Sequence, residues 1–284
     1  MQQESNGKYD SRNKLNDLTG KEWLKLTASY WFSEKCKLDK KALKHPAPFL
    51  VKDIEKLIRL FTKSKMTVLD PFCGSGTTLI SAYNTSRFGI GIDLSEEYYF
   101  LAKERLNEIG AIEYDNFKYI VENNIKVIKK LETNSIDYIV TSPPYFNILK
   151  NKSEGLRSDK TKKGYRNGAR QGIVSYSTDS EDNLENLENY NIFLLKIKEI
   201  FSELHRVLKY KKYCSIVISD FTINKIQTCV TGDFVRIMQD VGYEFCGDIV
   251  LIQENKPLYP FGYPFAYKIN HHNQNILNFR KILT

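Results

Sequence analysis

The chain lacks the marks of several protein classes, and each absence narrows what it can be. No apolar run approaches the length of a membrane span, and the polar lead from Gln2 to Asn16 holds no apolar signal segment. The five cysteines, Cys36, Cys73, Cys214, Cys229 and Cys246, form no Cys-x-x-Cys pair and have no histidine at ligand spacing. His271 and His272 are adjacent, which is not helical ligand spacing, and read as surface residues. Reduced thiols in a cytoplasmic protein are expected, with no metal site, no disulfide framework and no membrane partner. No internal repeat is visible. What remains is 284 residues, enough for one large α/β domain or two small ones, with a net charge of +8. That charge suits a polyanionic partner and equally an ordinary basic soluble protein.

The most informative stretch is the apolar run Ile136-Asp137-Tyr138-Ile139-Val140, followed by Thr141-Ser142-Pro143-Pro144-Tyr145. The run reads as a buried strand, and two prolines end it because neither can donate to a ladder. The strand therefore stops on a stiff turn that holds out a hydroxyl, proline carbonyls and an aromatic ring. Those groups suit the grip of a planar ring that carries an exocyclic amine.

Upstream, Met66 to Asp70 reads as a strand, Pro71-Phe72-Cys73-Gly74-Ser75-Gly76-Thr77-Thr78 as a glycine loop, and Leu79 onwards as a helix. Gly74 and Gly76 let the backbone approach a ligand, and the amides opening the helix face it. The loop has no lysine of the phosphate-cradling kind, which disfavours ATP. A second strand, Arg87 to Ile92, ends at Asp93, followed by the helix opening Leu94-Ser95-Glu96-Glu97. An acid about twenty residues past a glycine loop can accept both hydroxyls of a ribose; alternatively it caps the next helix. Two successive strand–helix units mark a parallel, doubly wound sheet. A third strand, Phe117 to Val121, leads to Asn123-Asn124, whose amides either read an adenine edge or cap a helix.

Residues 1–20 are polar and expected to form a disordered tail. The cluster Trp23, Leu24, Leu26, Trp31, Phe32 precedes His45-Pro46-Ala47-Pro48-Phe49 and a helix over Leu50 to Phe61, with Pro48 near its start. Residues 150–190 mix lysine, arginine, glycine and tyrosine with little apolar periodicity, which fits a loop contacting a nucleic-acid backbone or a solvated insertion. A helix over Phe193 to Leu208, a turn at Lys209 to Lys212 and a strand from Tyr213 to Ser219 follow. A helical stretch around Phe234 to Met238 and strands at Tyr243 to Gln253 and Ile276 to Phe279 close a seven-stranded, mostly parallel sheet with an antiparallel edge strand. The aromatic loop from Pro257 to Phe265 lines a substrate pocket or covers a sheet edge.

Together these parts resemble the amino-directed DNA methyltransferases. Asp70 to Thr78 is similar to that family's cofactor loop, Gly91-Ile92-Asp93-Leu94-Ser95 to its ribose-binding strand end, and Ser142-Pro143-Pro144-Tyr145 to its catalytic tetrad. His45-Pro46-Ala47-Pro48-Phe49 is similar to the segment that closes over the methionine end of the cofactor. The resemblance implies a Rossmann-like methyltransferase fold, S-adenosylmethionine as cofactor and double-stranded DNA as partner, with a cognate restriction endonuclease a further partner. It implies cofactor contacts at His45, Pro46, Ala47, Phe49, Asp70, Pro71, Phe72, Cys73, Gly74, Gly76, Thr77, Asp93, Leu94, Ser95, Asn123 and Asn124. The chain departs from the family at that third strand end, where the asparagines replace an acid. The domain spans residues 21–284, with target recognition in an inserted loop at 150–190 helped by 257–265. Serine at the first tetrad position is typical of members acting on the N4 amine of cytosine, with the N6 amine of adenine as the alternative. An RNA or protein amide methyltransferase, and a non-catalytic nucleic-acid-binding module, are the rival readings.

Overall fold

The computed structural model describes residues 7–42, 48–146, 184, 187, 189–223, 226–254 and 256–282. In chain order its elements are α1 (Gly20–Leu26), β1 (Tyr30–Phe32), α2 (Asp39–Ala42), α3 (Val51–Phe61), β2 (Thr67–Asp70), α4 (Thr77–Asn84), β3 (Phe88–Asp93), α5 (Glu96–Glu108) and β4 (Phe117–Val121). There follow α6 (Asn124–Lys130), β5 (Ile136–Thr141), α7 (Tyr190–Val207), β6 (Leu208–Ile218), β7 (Phe221–Ile223), β8 (Ile226–Thr228), α8 (Val230–Val241), β9 (Tyr243–Ile252) and β10 (Asn273–Lys281).

One eight-stranded sheet runs in the order β1-β9-β10-β6-β5-β2-β3-β4. All neighbouring pairs are parallel except the two that involve β10. This corrects the expected count and edge. The eighth strand is Tyr30–Phe32, parallel to β9, so the antiparallel strand lies inside the sheet and not at its edge. Only Trp31 of β1 is buried, too short an alternation to stand out within an apolar cluster. The Lys209 to Lys212 segment lies within β6 as a bulge: the ladder with β5 passes from Ile136–Leu208 to Tyr138–Tyr213, the pairing with β10 begins at Tyr213, and Lys211 is left-handed at φ 63°, so the chain bends where the turn is expected. The short hairpin β7–β8 was not expected.

Strand β5 is buried at all six positions, as a strand covered on both faces must be. Its side chains divide between two cores. Ile136 and Ile139 pack with α7 and α8, whereas Tyr138 and Val140 pack with α3. On the α3 side, Phe61 stacks on Tyr138 and on Tyr213, with ring centroids 5.3 and 4.8 Å apart. A third core joins α4 and α5 to β4.

Residues 7–20 are not a disordered tail. Leu18 is buried in the α3 core, Tyr9 bridges to Thr19, and the buried Asn16 side chain donates to the Leu60 carbonyl at 2.6 Å. That bond satisfies a carbonyl in the last turn of α3, where the helix has no partner of its own. Thr19 then opens α1 with a reciprocal cap to Glu22. Pro48 precedes the α3 N-cap, Leu50, by two residues and so is not in the first turn.

Candidate active site

Strands β6, β5, β2, β3 and β4 are parallel neighbours, so the loops leaving their carboxyl ends open on one edge of the sheet. The chain winds outward in both directions from β2, which makes the β2–β5 crevice the switch point where ligands bind in open α/β sheets.

Asp70 ends β2 and ties this edge together. Its Oδ2 accepts from the Thr78 hydroxyl at 2.6 Å and its Oδ1 from the Thr141 hydroxyl at 2.7 Å and the Phe72 amide at 3.1 Å. Thr141 is the last residue of β5, so one carboxylate joins the glycine loop to the proline turn. Burial pushes its pKa up to about 6, against the pull of those hydrogen bonds. A raised value means the folded state holds the proton more tightly than the unfolded one. The cost of burying the ionised group is therefore present above about pH 6 and relieved as the pH falls towards the ordinary 3.8. Relative to Asp70→Asn, which does not titrate, wild-type stability should rise from about pH 7 to about pH 4 by up to about 3 kcal/mol in urea denaturation. A difference that stays flat over this window contradicts the assignment.

The glycine loop is fixed from several directions. Gly76 is the α4 N-cap at φ 78°, and a Cβ there would lie 2.6 Å from the Ala102 Cβ. Gly91 leaves room for the Cys73 side chain, since a Cβ would meet its Sγ at 2.4 Å. Cys73 is buried and its thiol is pushed well above the ordinary range by that burial, the opposite of an activated nucleophile. The Gly74 carbonyl accepts from the Tyr119 hydroxyl at 2.8 Å, and the Gly74 amide donates to Asp93 Oδ2 at 2.8 Å.

Asp93 does not cap α5. Ser95 does, accepting from the Tyr98 amide at 3.3 Å, while Asp93 Oδ1 accepts from the Ser95 amide at 3.0 Å. Burial raises the Asp93 pKa and those two backbone bonds work against it. Asn123 caps α6 through Oδ1, at 3.0 Å from the Ile125 amide, and Asn124 donates to the Pro71 carbonyl at 3.2 Å. The asparagines thus brace the helix and the loop, and the cap reading of Asn123 holds. Leu94 is half-buried beside Asp93, and Pro71 is buried next to Asp70.

At the proline turn, Pro143 is buried while Ser142, Pro144 and Tyr145 are half-buried. The Tyr145 hydroxyl accepts from Gln274 Nε2 at 3.2 Å, and Gln274 Oε1 accepts from Gln253 Nε2 at 2.9 Å. Its ring meets Phe221 edge-on at 5.5 Å. Burial raises the phenol pKa, and hydrogen bonds to Gln274, Ser219 and Ser142 offset part of it. Phe49 lines a small cavity beside Gln253 and Gln274, on the tetrad side of the edge. His45, Pro46 and Ala47 lie outside the described residues, as does nearly all of the 150–190 loop.

Sequence reasoning missed Arg105, Tyr119, Gln253 and Gln274. Arg105 falls on the buried stripe of α5 with Tyr98, Leu101 and Ala102, a visible anomaly for a cation. It donates to Ser75 and Thr77 beneath the loop, and burial lowers its pKa to about 10. The glutamines carry no local signal, because they meet Tyr145 only through sheet pairing.

The loop therefore faces two carboxylates, Asp70 and Asp93, and its nearest cation is spent on backbone and hydroxyl oxygens. That favours a cationic nucleoside over a pyrophosphate. Among the described residues no cluster could hold a metal ion.

The sheet order and its strand ends define a Rossmann-like, doubly wound α/β fold. The chain belongs to the methyltransferase domain family, which matches residues 62–256, and the DNA methylase family matches residues 2–104. Type II methyltransferase M2.LlaDCHI of Lactococcus lactis subsp. cremoris is 44% identical over 72 residues, 25% of this chain and 27% of that protein. Type II methyltransferase M2.DpnII of Streptococcus pneumoniae is 39% identical over 98 residues, 34% of this chain and 35% of that protein. The matched stretches thus span about a quarter to a third of these relatives' lengths. Among solved structures, TrmN from Thermus thermophilus aligns at 14% identity and a TM-score of 0.48, over 87% of this chain and 52% of that one. S-adenosylmethionine, a sulfonium nucleoside, is the cofactor of this family, and the acid at Asp93 and the anionic loop fit it.

Proposed function

We propose that this chain is a site-specific DNA methyltransferase acting on the exocyclic N4 amine of a cytosine flipped out of double-stranded DNA. The observation that carries this reading is the Thr141–Asp70 hydrogen bond of 2.7 Å, which ties the amine-holding turn to the methyl-donor loop. When bound, S-adenosylmethionine supplies an electrophilic methyl group, so the protein's task is to ready the acceptor. Asp93 would take the ribose hydroxyls, the backbone of Pro71 to Thr77 the rest of the nucleoside, and Leu94, Ser95, Asn123 and Asn124 the adenine surroundings. Phe49 and the His45-Pro46-Ala47 segment would close over the methionine end.

An exocyclic amine is a poor nucleophile because its lone pair is delocalised into the ring. The Ser142 hydroxyl and Pro143 carbonyl would accept hydrogen bonds from its two N–H groups and draw the nitrogen towards tetrahedral geometry, which localises the pair; once the nitrogen carries the methyl group, its surplus proton is released to water. Pro144 stiffens the turn, and Tyr145 stacks on the base once it has left the helix. No covalent intermediate with the protein is needed. Serine at position 142, where relatives acting on adenine more often carry aspartate, supports cytosine. Residues 150–190, with 257–265, are assigned to target recognition, and a cognate restriction endonuclease and a cytoplasmic location belong to the same reading.

The test is transfer from methyl-labelled S-adenosylmethionine to DNA, RNA and protein in parallel, followed by digestion of the DNA to nucleosides. Label in N4-methylcytosine is expected. Label in N6-methyladenine overturns the choice of base, and label confined to RNA or protein overturns the substrate.

A further inference from the structure

The loop between β9 and β10 displays more aromatic surface than a folded protein leaves in water without use. It contains the short tandem Tyr259-Pro260-Phe261-Gly262, Tyr263-Pro264-Phe265-Ala266, Tyr267, well below the length of a structural repeat. Tyr263, Phe265 and Tyr267 are 78%, 93% and 89% exposed, and Tyr259 is 42% exposed. Rings left out at this density mark an interaction site.

The display is built, not loose. The Asn270 side chain donates to the Tyr259 carbonyl at 2.8 Å and accepts from the Tyr259 amide at 3.0 Å, pinning the two ends of the loop together. The amides of Phe265 and Ala266 both donate to the Gly262 carbonyl, at 2.8 and 2.7 Å, around a glycine at φ 77°. A Cβ on Gly262 would lie 2.1 Å from the Ala266 carbonyl oxygen, so the tight turn requires glycine. The loop is rooted at the proposed active site: Gln253 and Gln274 flank it in sequence, and Gln274 holds the Tyr145 hydroxyl. Charge selects the partner. Lys256 and Lys268 bracket the rings, and no Asp or Glu occurs anywhere after Glu254.

We propose that the rings of residues 259–267 form a stacking platform for unpaired bases of the DNA strand that flank the target nucleotide. Every base offers a π face, so such a platform holds an opened strand whatever its sequence, and the lysines follow its backbone. This rests on the methyltransferase reading and refines the role given there to residues 257–265: the rings hold the opened strand by stacking and do not read its sequence, so the ring-dependent part of binding favours unpaired over duplex DNA.

Fluorescence anisotropy of the full chain with a labelled oligonucleotide, single-stranded or annealed to its complement, tests it at one fixed salt concentration. The loss of affinity on removing the rings is expected to be larger for the single strand than for the duplex. The combined variant Tyr263→Ala, Phe265→Ala, Tyr267→Ala should lose roughly tenfold in single-strand affinity per ring, with S-adenosylmethionine affinity and melting temperature unchanged. The same three positions changed to leucine should lose nearly as much, since an aliphatic chain cannot stack. Unchanged single-strand binding in either variant overturns the proposal, as does an equal or larger loss on the duplex. Ring-dependent binding to anionic phospholipid vesicles, with none to the oligonucleotide, would assign the surface to a membrane and overturn it too. Ring-dependent strand binding without methylation of any DNA faults the proposed reaction and leaves the platform standing.

Discussion

Tyr145→Ala should lower single-turnover methyl transfer to DNA by about a hundredfold and leave the affinity for S-adenosylmethionine unchanged. The ring is held before any base arrives, edge-on to Phe221 at 5.5 Å and through its hydroxyl to Gln274 at 3.2 Å. Removing it takes away the surface against which an extruded base would stack and leaves the glycine loop untouched, because Tyr145 bonds to none of the residues that fix that loop. Loss of stacking alone is worth about 1–3 kcal/mol per base, and misplacement of the amine adds to it. Tyr145→Phe separates the ring from its hydroxyl: it keeps the stacking face, gives up the Gln274 bond and should retain most of the activity. Transfer that survives the alanine change contradicts the stacking role.

The second large effect is on cofactor binding. Asp93→Ala should weaken S-adenosylmethionine binding by roughly a hundredfold or more in calorimetric titration, on the basis of about 1–3 kcal/mol for each buried donor left without a partner. The alanine abandons the Gly74 and Ser95 amides, which Asp93 accepts at 2.8 and 3.0 Å, together with the proposed ribose contact. The loop loses its link to β3 at the point where the nucleoside would sit. Asp93→Asn keeps one acceptor oxygen and should fall between wild type and alanine. Unchanged affinity in the alanine variant would remove Asp93 from the site.

Both residues were legible in the sequence because punctuation marks them. Two prolines stop β5 after Thr141, an acid ends β2 and β3 alike and glycines follow β2, so strand ends and the proposed ligand groups coincide. The rest depended on pairing that no local pattern records. Tyr30–Phe32 becomes a strand only because β9 offers it an edge, and the lysine-rich start of β6 is a bulge that the ladder steps over between Leu208 and Tyr213. Asn16 looked like part of a polar tail, and its burial is explained only by the Leu60 carbonyl it reaches across 44 residues. Gln253 and Gln274 acquire a role only when β9 and β10 lie side by side. Arg105 alone left a trace, a cation on an apolar stripe.

The most direct measurement is a crystal structure of the chain with S-adenosylmethionine bound. The account predicts the nucleoside over the Gly74–Asp93 contact, with the methyl group opening towards the Ser142 hydroxyl and the Pro143 carbonyl. A methyl group directed into another cleft, out of reach of that turn, would contradict it.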